Sequence, residues 1–130
     1  MARDIDKAQA LSLLQELRNL EYPSRKIDTD IALLLGFERF EGDKVVWLHP
    51  DTRRETRVPR FTATLTQAHD LARTLLPNHV AACTWGPEYS SARIEPGPQF
   101  EATNPAIALC LCALFGALSG HAQHLEEDEE

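Results

Sequence analysis

The sequence predicts an α+β domain, a small, largely antiparallel β-sheet sandwiched by helices in the order α-α-β-β-α-β-β-α. Three observations carry that prediction. Residues 105–118, PAIALCLCALFGAL, are almost entirely apolar and stand between the start signal Asn104-Pro105 and the stop signal Gly120. Three further segments repeat apolar residues at helical spacing. Four short runs of strand-forming residues are joined by connections as short as 41–43 and 86–90, which favour hairpins over parallel crossovers.

The first helix is expected over 5–20. Ala10, Leu13, Leu14, Leu17 and Leu20 recur at helical spacing, Asp4 is a plausible cap, and Tyr22-Pro23 ends it. Ser24 then starts a second helix, RKIDTDIALLL, which buries Ile27, Ile31, Leu34 and Leu35 and stops at Gly36. Asp28 and Asp30 are expected on its solvated face. Phe37 to Phe40 and Lys44 to Leu48 read as strands around the turn Glu41-Gly42-Asp43. His49-Pro50-Asp51 closes the second, and DTRRETRVPR follows as a polar loop.

Phe61 leads into the third helix, where Thr64 and Gln67 have capping-box spacing. Leu65, Ala68, Leu71, Ala72 and Leu75 form its apolar stripe, and Pro77 stops it. HVAACTW at 79–85 and SARIE at 91–95 are the next strands. Pro96-Gly97-Pro98 breaks the chain before the last helix. There Asn104 can accept an orphan N–H, and Pro105 suits the first helical position. Lacking a polar face, this helix has to be covered on most sides. It would span only ~21 Å at 1.5 Å per residue, short of a hydrocarbon core ~30 Å thick, so a buried helix is expected rather than a membrane span.

Residues 1–120 are expected to form one domain, and 121–130, ending in Glu126 to Glu130, a disordered acidic tail. A chain of 130 residues is one domain's worth. The net charge of −7 argues against general nucleic-acid binding, which needs a basic face. Three cysteines argue against a disulfide framework and for a reducing compartment. The opening MARDIDKAQALSLL has no apolar signal core, so a cytoplasmic location is expected.

The cysteines read as packing residues. Cys110 and Cys112 point roughly 200° apart on a helix and cannot pair with each other, and Cys83 sits mid-strand. His121 and His124 stand near Glu126 and Glu127, beyond the expected helix end, and no metal site is expected from them. A GxSxG elbow and a glycine-rich phosphate loop are both missing from the sequence. No catalytic residue, metal or cofactor is assigned, and an enzyme is not expected. One cluster rises above this background. Trp47, His49, Arg53, Arg54, Arg57 and Arg60 place aromatic, imidazole and guanidinium groups around one loop of an acidic chain. Guanidinium forks suit phosphates or carboxylates, so this loop is the candidate ligand-binding site, the alternative being an ordinary solvated loop balanced by Asp51 and Glu55.

PRFTATLTQAHDLARTLLP, a hairpin, and then EATNPAIALCLCAL together resemble the phage ABA-sandwich domain family. Its members show a Pro-aromatic-Ser/Thr start before a short helix, a strand pair, and an Ala-Thr-x-Pro-Ala-x-Ala-x-Cys helix. That last pattern falls on Ala102, Thr103, Pro105, Ala106, Ala108 and Cys110. IDTDIALLLGFERF looks like the family's opening helix running into Gly-aromatic. The resemblance covers roughly 27–118. It implies a helix–sheet–helix sandwich in a bacteriophage or prophage and supplies no activity or catalytic residue. The expectation is a small phage accessory protein of the host cytoplasm that binds without catalysis, with a host protein as partner. The alternative is a binder that sequesters a small anionic ligand bearing phosphate, such as a nucleotide signal.

Overall fold

The structure, a computed structural model, describes residues 5–128, with side chains over 5–119. Ten elements follow one another: α1 (Lys7–Arg18), α2 (Arg25–Leu34), β1 (Glu38–Glu41), β2 (Val45–Leu48), β3 (Glu55–Thr56), α3 (Leu65–Leu75), β4 (Ala81–Trp85), β5 (Ser90–Ile94), β6 (Gln99–Ala102) and α4 (Pro105–Asp128). The class is α+β, and all strand pairings are antiparallel. The strands form two sheets rather than one, ordered β1-β2-β3 and β4-β5-β6. The sequence reading lacked β3 and β6. It took Glu55-Thr56 as loop and passed directly from Pro98 to the last helix. Both strands are short, and each is held by pairing to a neighbour, β6 also by Phe100 against Phe115.

Helix α4 is the platform. It packs against α3, α1 and the whole second sheet. Ala106 to Leu114 are buried without interruption. Asn104 caps it, accepting the Ile107 N–H at 2.7 Å, while its amide donates to the Thr62 carbonyl at 3.1 Å. Its backbone runs past Gly120 to Asp128. Glycine ends a helix only when it takes a left-handed conformation, and otherwise continues it at a cost of roughly 1 kcal/mol. The tail side chains at 121–130, including His121 and His124, lie outside those described. Gly116 lies against Leu76, and a Cβ there would displace that leucine.

Helix α1 is capped by Asp6, whose carboxylate accepts the Gln9 N–H at 2.9 Å. The expected cap, Asp4, lies outside the described residues. Ser24 caps α2, accepting the Ile27 N–H at 3.2 Å. Gly36, at φ +99°, ends α2 in a left-handed turn. There the Gly36 N–H meets the Leu33 carbonyl and the Phe37 N–H meets the Ala32 carbonyl. The capping box on α3 does not form. Gln67 Oε1 instead accepts the Arg60 N–H and the Thr64 hydroxyl, so Gln67 ties the entry loop to the helix.

Asp28 is the largest departure from the sequence reading. It is 1% exposed instead of solvated. Its Oδ1 accepts the Thr62 N–H and the Thr62 hydroxyl, each at 2.8 Å, and its Oδ2 pairs with Arg25 at 2.9 Å. Arg25 also donates to the Val58 carbonyl at 3.0 Å. The segment leaving β3 is thereby clamped onto α2. A buried carboxylate is tolerated because its lone pairs are occupied. Asp30 behaves as expected, pairing at the surface with Lys26.

Candidate functional site

The arginine loop is the β2–β3 connection and its exit. Two backbone bonds close it: His49 N–H to the Arg54 carbonyl and Arg53 N–H to the His49 carbonyl, both 2.9 Å. His49 Nδ1 accepts the Asp51 N–H at 3.1 Å, so the imidazole helps build the turn. Its ring meets Phe37 edge-on, centroids 5.2 Å apart. Trp47 is half-buried against the core and pairs with Arg39 and Thr56 across the sheet.

The four arginines part company. Arg53 sits at φ +61°, and its guanidinium binds Glu38 on β1. That bond raises the Arg53 pKa and holds the Glu38 carboxyl below its ordinary range. Arg53 therefore arrives already neutralised. Arg54, Arg57 and Arg60 are exposed and take part in none of the ion pairs among the described residues.

A cleft of about 160 Å³ lies beside His49, over Leu35, Phe37, Phe61 and Leu71. None of the four arginines lines it, and neither does Trp47. Asp51 and Asp70 do. The loop thus brings His49 to a cleft whose charged lining is acidic and includes none of the loop's guanidinium groups. Phosphate in that cleft would meet two carboxylates and no fork.

The cysteines are thiols, with Cys110 and Cys112 buried and Cys83 half-buried. Cys110 donates to the Phe61 carbonyl at 3.4 Å. Burial pushes its thiol pKa far up and that of Cys112 up to about 11. Nucleophilic chemistry needs the thiolate, so both are packing groups. Among the described residues no three His, Cys, Asp or Glu side chains converge as a metal set.

The surface the sequence did not flag is the β4 edge of the second sheet, whose other edge is β6. Glu95 N–H bonds to the Val80 carbonyl at 2.8 Å and Gly86 N–H to the Tyr89 carbonyl at 2.9 Å. Bonded pairs alternate along an antiparallel ladder. With the register Ala82↔Arg93 and Thr84↔Ser91, the N–H and C=O groups of Ala81, Cys83 and Trp85 therefore aim away from β5. These residues also share the sheet's inner face with Ile94, Ala92 and Ser90. Those three β5 residues are buried, yet Cys83 is only half-buried and Trp85 is 79% exposed. Helix α4 covers β5 and leaves β4 overhanging. Val80, 67% exposed, precedes the strand, and Tyr89, 53% exposed, lines a separate cleft with Arg18, Glu21 and Thr103. An open strand edge without charges is a template for pairing with another chain, and AACTW carries none.

No helix among the described residues is long and apolar enough to cross a membrane. No family model, curated protein or solved structure matches the chain.

Proposed function

We propose that this chain is a phage or prophage accessory protein of the host cytoplasm that acts by binding a host protein, without catalysis. The phage assignment rests on the resemblance of 27–118 to the ABA-sandwich family. The protein-binding reading rests on one observation, the uncharged open edge of β4 with Trp85 exposed on it. Aromatic anchors of this kind dominate protein interfaces. The nucleotide-sequestering alternative draws less support, because the cleft beside the arginine loop is lined by Asp51 and Asp70 and by none of the arginines.

Affinity capture from phage-infected cells tests this reading, combined with native mass spectrometry of the purified protein. A host protein should be recovered with the wild type and lost with Trp85→Ala, a change at an exposed position that leaves the fold intact. Recovery of a bound nucleotide in place of a protein, or capture indifferent to Trp85, would overturn it.

A further inference from the structure

Between α3 and the open edge of β4 lies a second cleft, of about 240 Å³. Ala72, Leu76, Ile94 and Leu109 line it with apolar groups, and His69, Arg73 and His79 line it with basic ones. Ala81, the first residue of β4, completes it. Among the described residues no carboxylate lines this cleft, and Arg73 is the formal charge in its lining, in a chain of net charge −7. His69 and Arg73 stand four residues apart on one face of α3. Arg73 is exposed and belongs to none of the ion pairs among the described residues.

We infer that this groove receives the carboxy-terminal end of an extended polypeptide. The peptide adds a strand to β4, its terminal carboxylate lies among Arg73, His69 and His79, and its last side chain is apolar. The inference rests on the protein-binding reading above and names the part of the partner that is recognised. The strand comes from the outward backbone groups of Ala81, Cys83 and Trp85, which supply the hydrogen bonds of strand addition. The carboxylate comes from the three basic groups at the Ala81 end, Arg73 offering a bidentate fork.

A chain terminus is chosen over an Asp or Glu side chain because the cleft joins basic and apolar groups within one small volume. A terminal residue carries its carboxylate and its apolar side chain on the same Cα. An acidic side chain puts the charge where the apolar group should go. With the carboxylate at Ala81 and the peptide leading away past Trp85, the added strand runs antiparallel to β4, like every other pairing in the molecule.

The test uses the full chain and a pool of acetylated hexapeptides ending in valine or leucine, prepared as free acids and as carboxy-terminal amides. Amide spectra of the labelled protein are recorded during titration. The free acids should shift Ala81, Cys83, Trp85 and the α3 residues around Arg73. The amides should bind about tenfold more weakly, as should the acids to Arg73→Ala, roughly the worth of one charge-assisted contact. Ala81→Pro, which removes an outward N–H at the first strand position, should abolish the β4 shifts. Should that variant fail to fold, the acid–amide comparison and Arg73→Ala still decide. Equal binding of acids and amides, no response to the acids, or shifts confined to the arginine loop would each overturn the inference. So would a dimer of this chain held through β4. If Trp85-dependent capture of a host protein succeeds while the acids fail, the terminal-carboxylate inference falls and the protein-binding reading stands. If both fail, both fall.

Discussion

Both acids and the arginine of β1 are paired, Glu38 with Arg53 of the β2–β3 loop and Arg39 with Glu41, and the first sheet leans on the core through Trp47. The second sheet is backed by α4 along β5 and β6, and its free edge, β4, carries no charge at all. Charge in the first sheet is largely satisfied from within. Backbone and aromatic groups in the second are not. The comparison teaches that conspicuous chemistry and unsatisfied surface need not coincide. Four arginines in an acidic chain draw the eye, yet one is spent on a hairpin and the others stand clear of the adjacent cleft.

The largest effect should come from removing the second sheet's platform. Leu111 is fully buried in α4, so Leu111→Asp buries an unpaired carboxylate and should prevent folding. The milder Leu109→Ala should cost ~2–5 kcal/mol. Chemical denaturation of both checks this, and near-wild-type stability of either would demote α4 from its central place.

The first sheet should respond to its mooring. Asp28→Ala strips Thr62 of its acceptor and Arg25 of its partner. Arg25 is half exposed and can be solvated, so the cost is that of the buried Thr62 donors left unmet, about 1–3 kcal/mol. The loss should exceed that of Asp30→Ala, whose surface pair contributes little. Similar losses for the two would mean that Asp28 does not clamp the sheet.

Thiol chemistry separates covered from uncovered parts of the second sheet. Cys83 on the overhang should react with a thiol reagent well before Cys110 or Cys112. A pH dependence follows from Cys112. Its folded pKa of about 11 lies above the ordinary thiol value of 9.0. The protonated thiol is favoured in the folded state, so its stabilising contribution is complete below pH 9 and is lost as pH rises through 11. Cys112→Ala should lessen that alkaline decline and leave the part owed to Cys110, whose thiol is raised further. An unchanged alkaline profile would put its origin elsewhere.

The smallest effect belongs to the arginine hairpin. Arg53→Gly loses an exposed pair with Glu38 but relieves a left-handed backbone that glycine adopts freely. The two changes oppose each other, and the melting temperature should move little. A large drop would show that the first sheet depends on this pair.

Much of the fold was legible because helices announce themselves locally. Ser24, the Asn104-Pro105 start and the turn at Gly36 lie within a few residues of what they control. Asp28 was misread because its partner, Thr62, lies 34 positions away, and burial decided by such a contact leaves no periodic trace. Strands β3 and β6 escaped because two and four residues are too short to show a period, and the ladder makes them strands. The arginine loop was visible as composition, but its internal pairing to Glu38 was not. The β4 edge was recognisable as a strand. That it would be an edge, with Trp85 overhanging, depends on sheet order, which periodicity does not encode.

The central claim is that binding takes place at the second sheet's edge. Its most direct test is hydrogen exchange on this chain, free and in complex with the host protein recovered by affinity capture. Protection should appear at the amides of Ala81, Cys83 and Trp85 and along α3 near Arg73, with residues 49–60 unchanged. Protection concentrated at 49–60, with the β4 amides exchanging as in the free protein, would contradict the account.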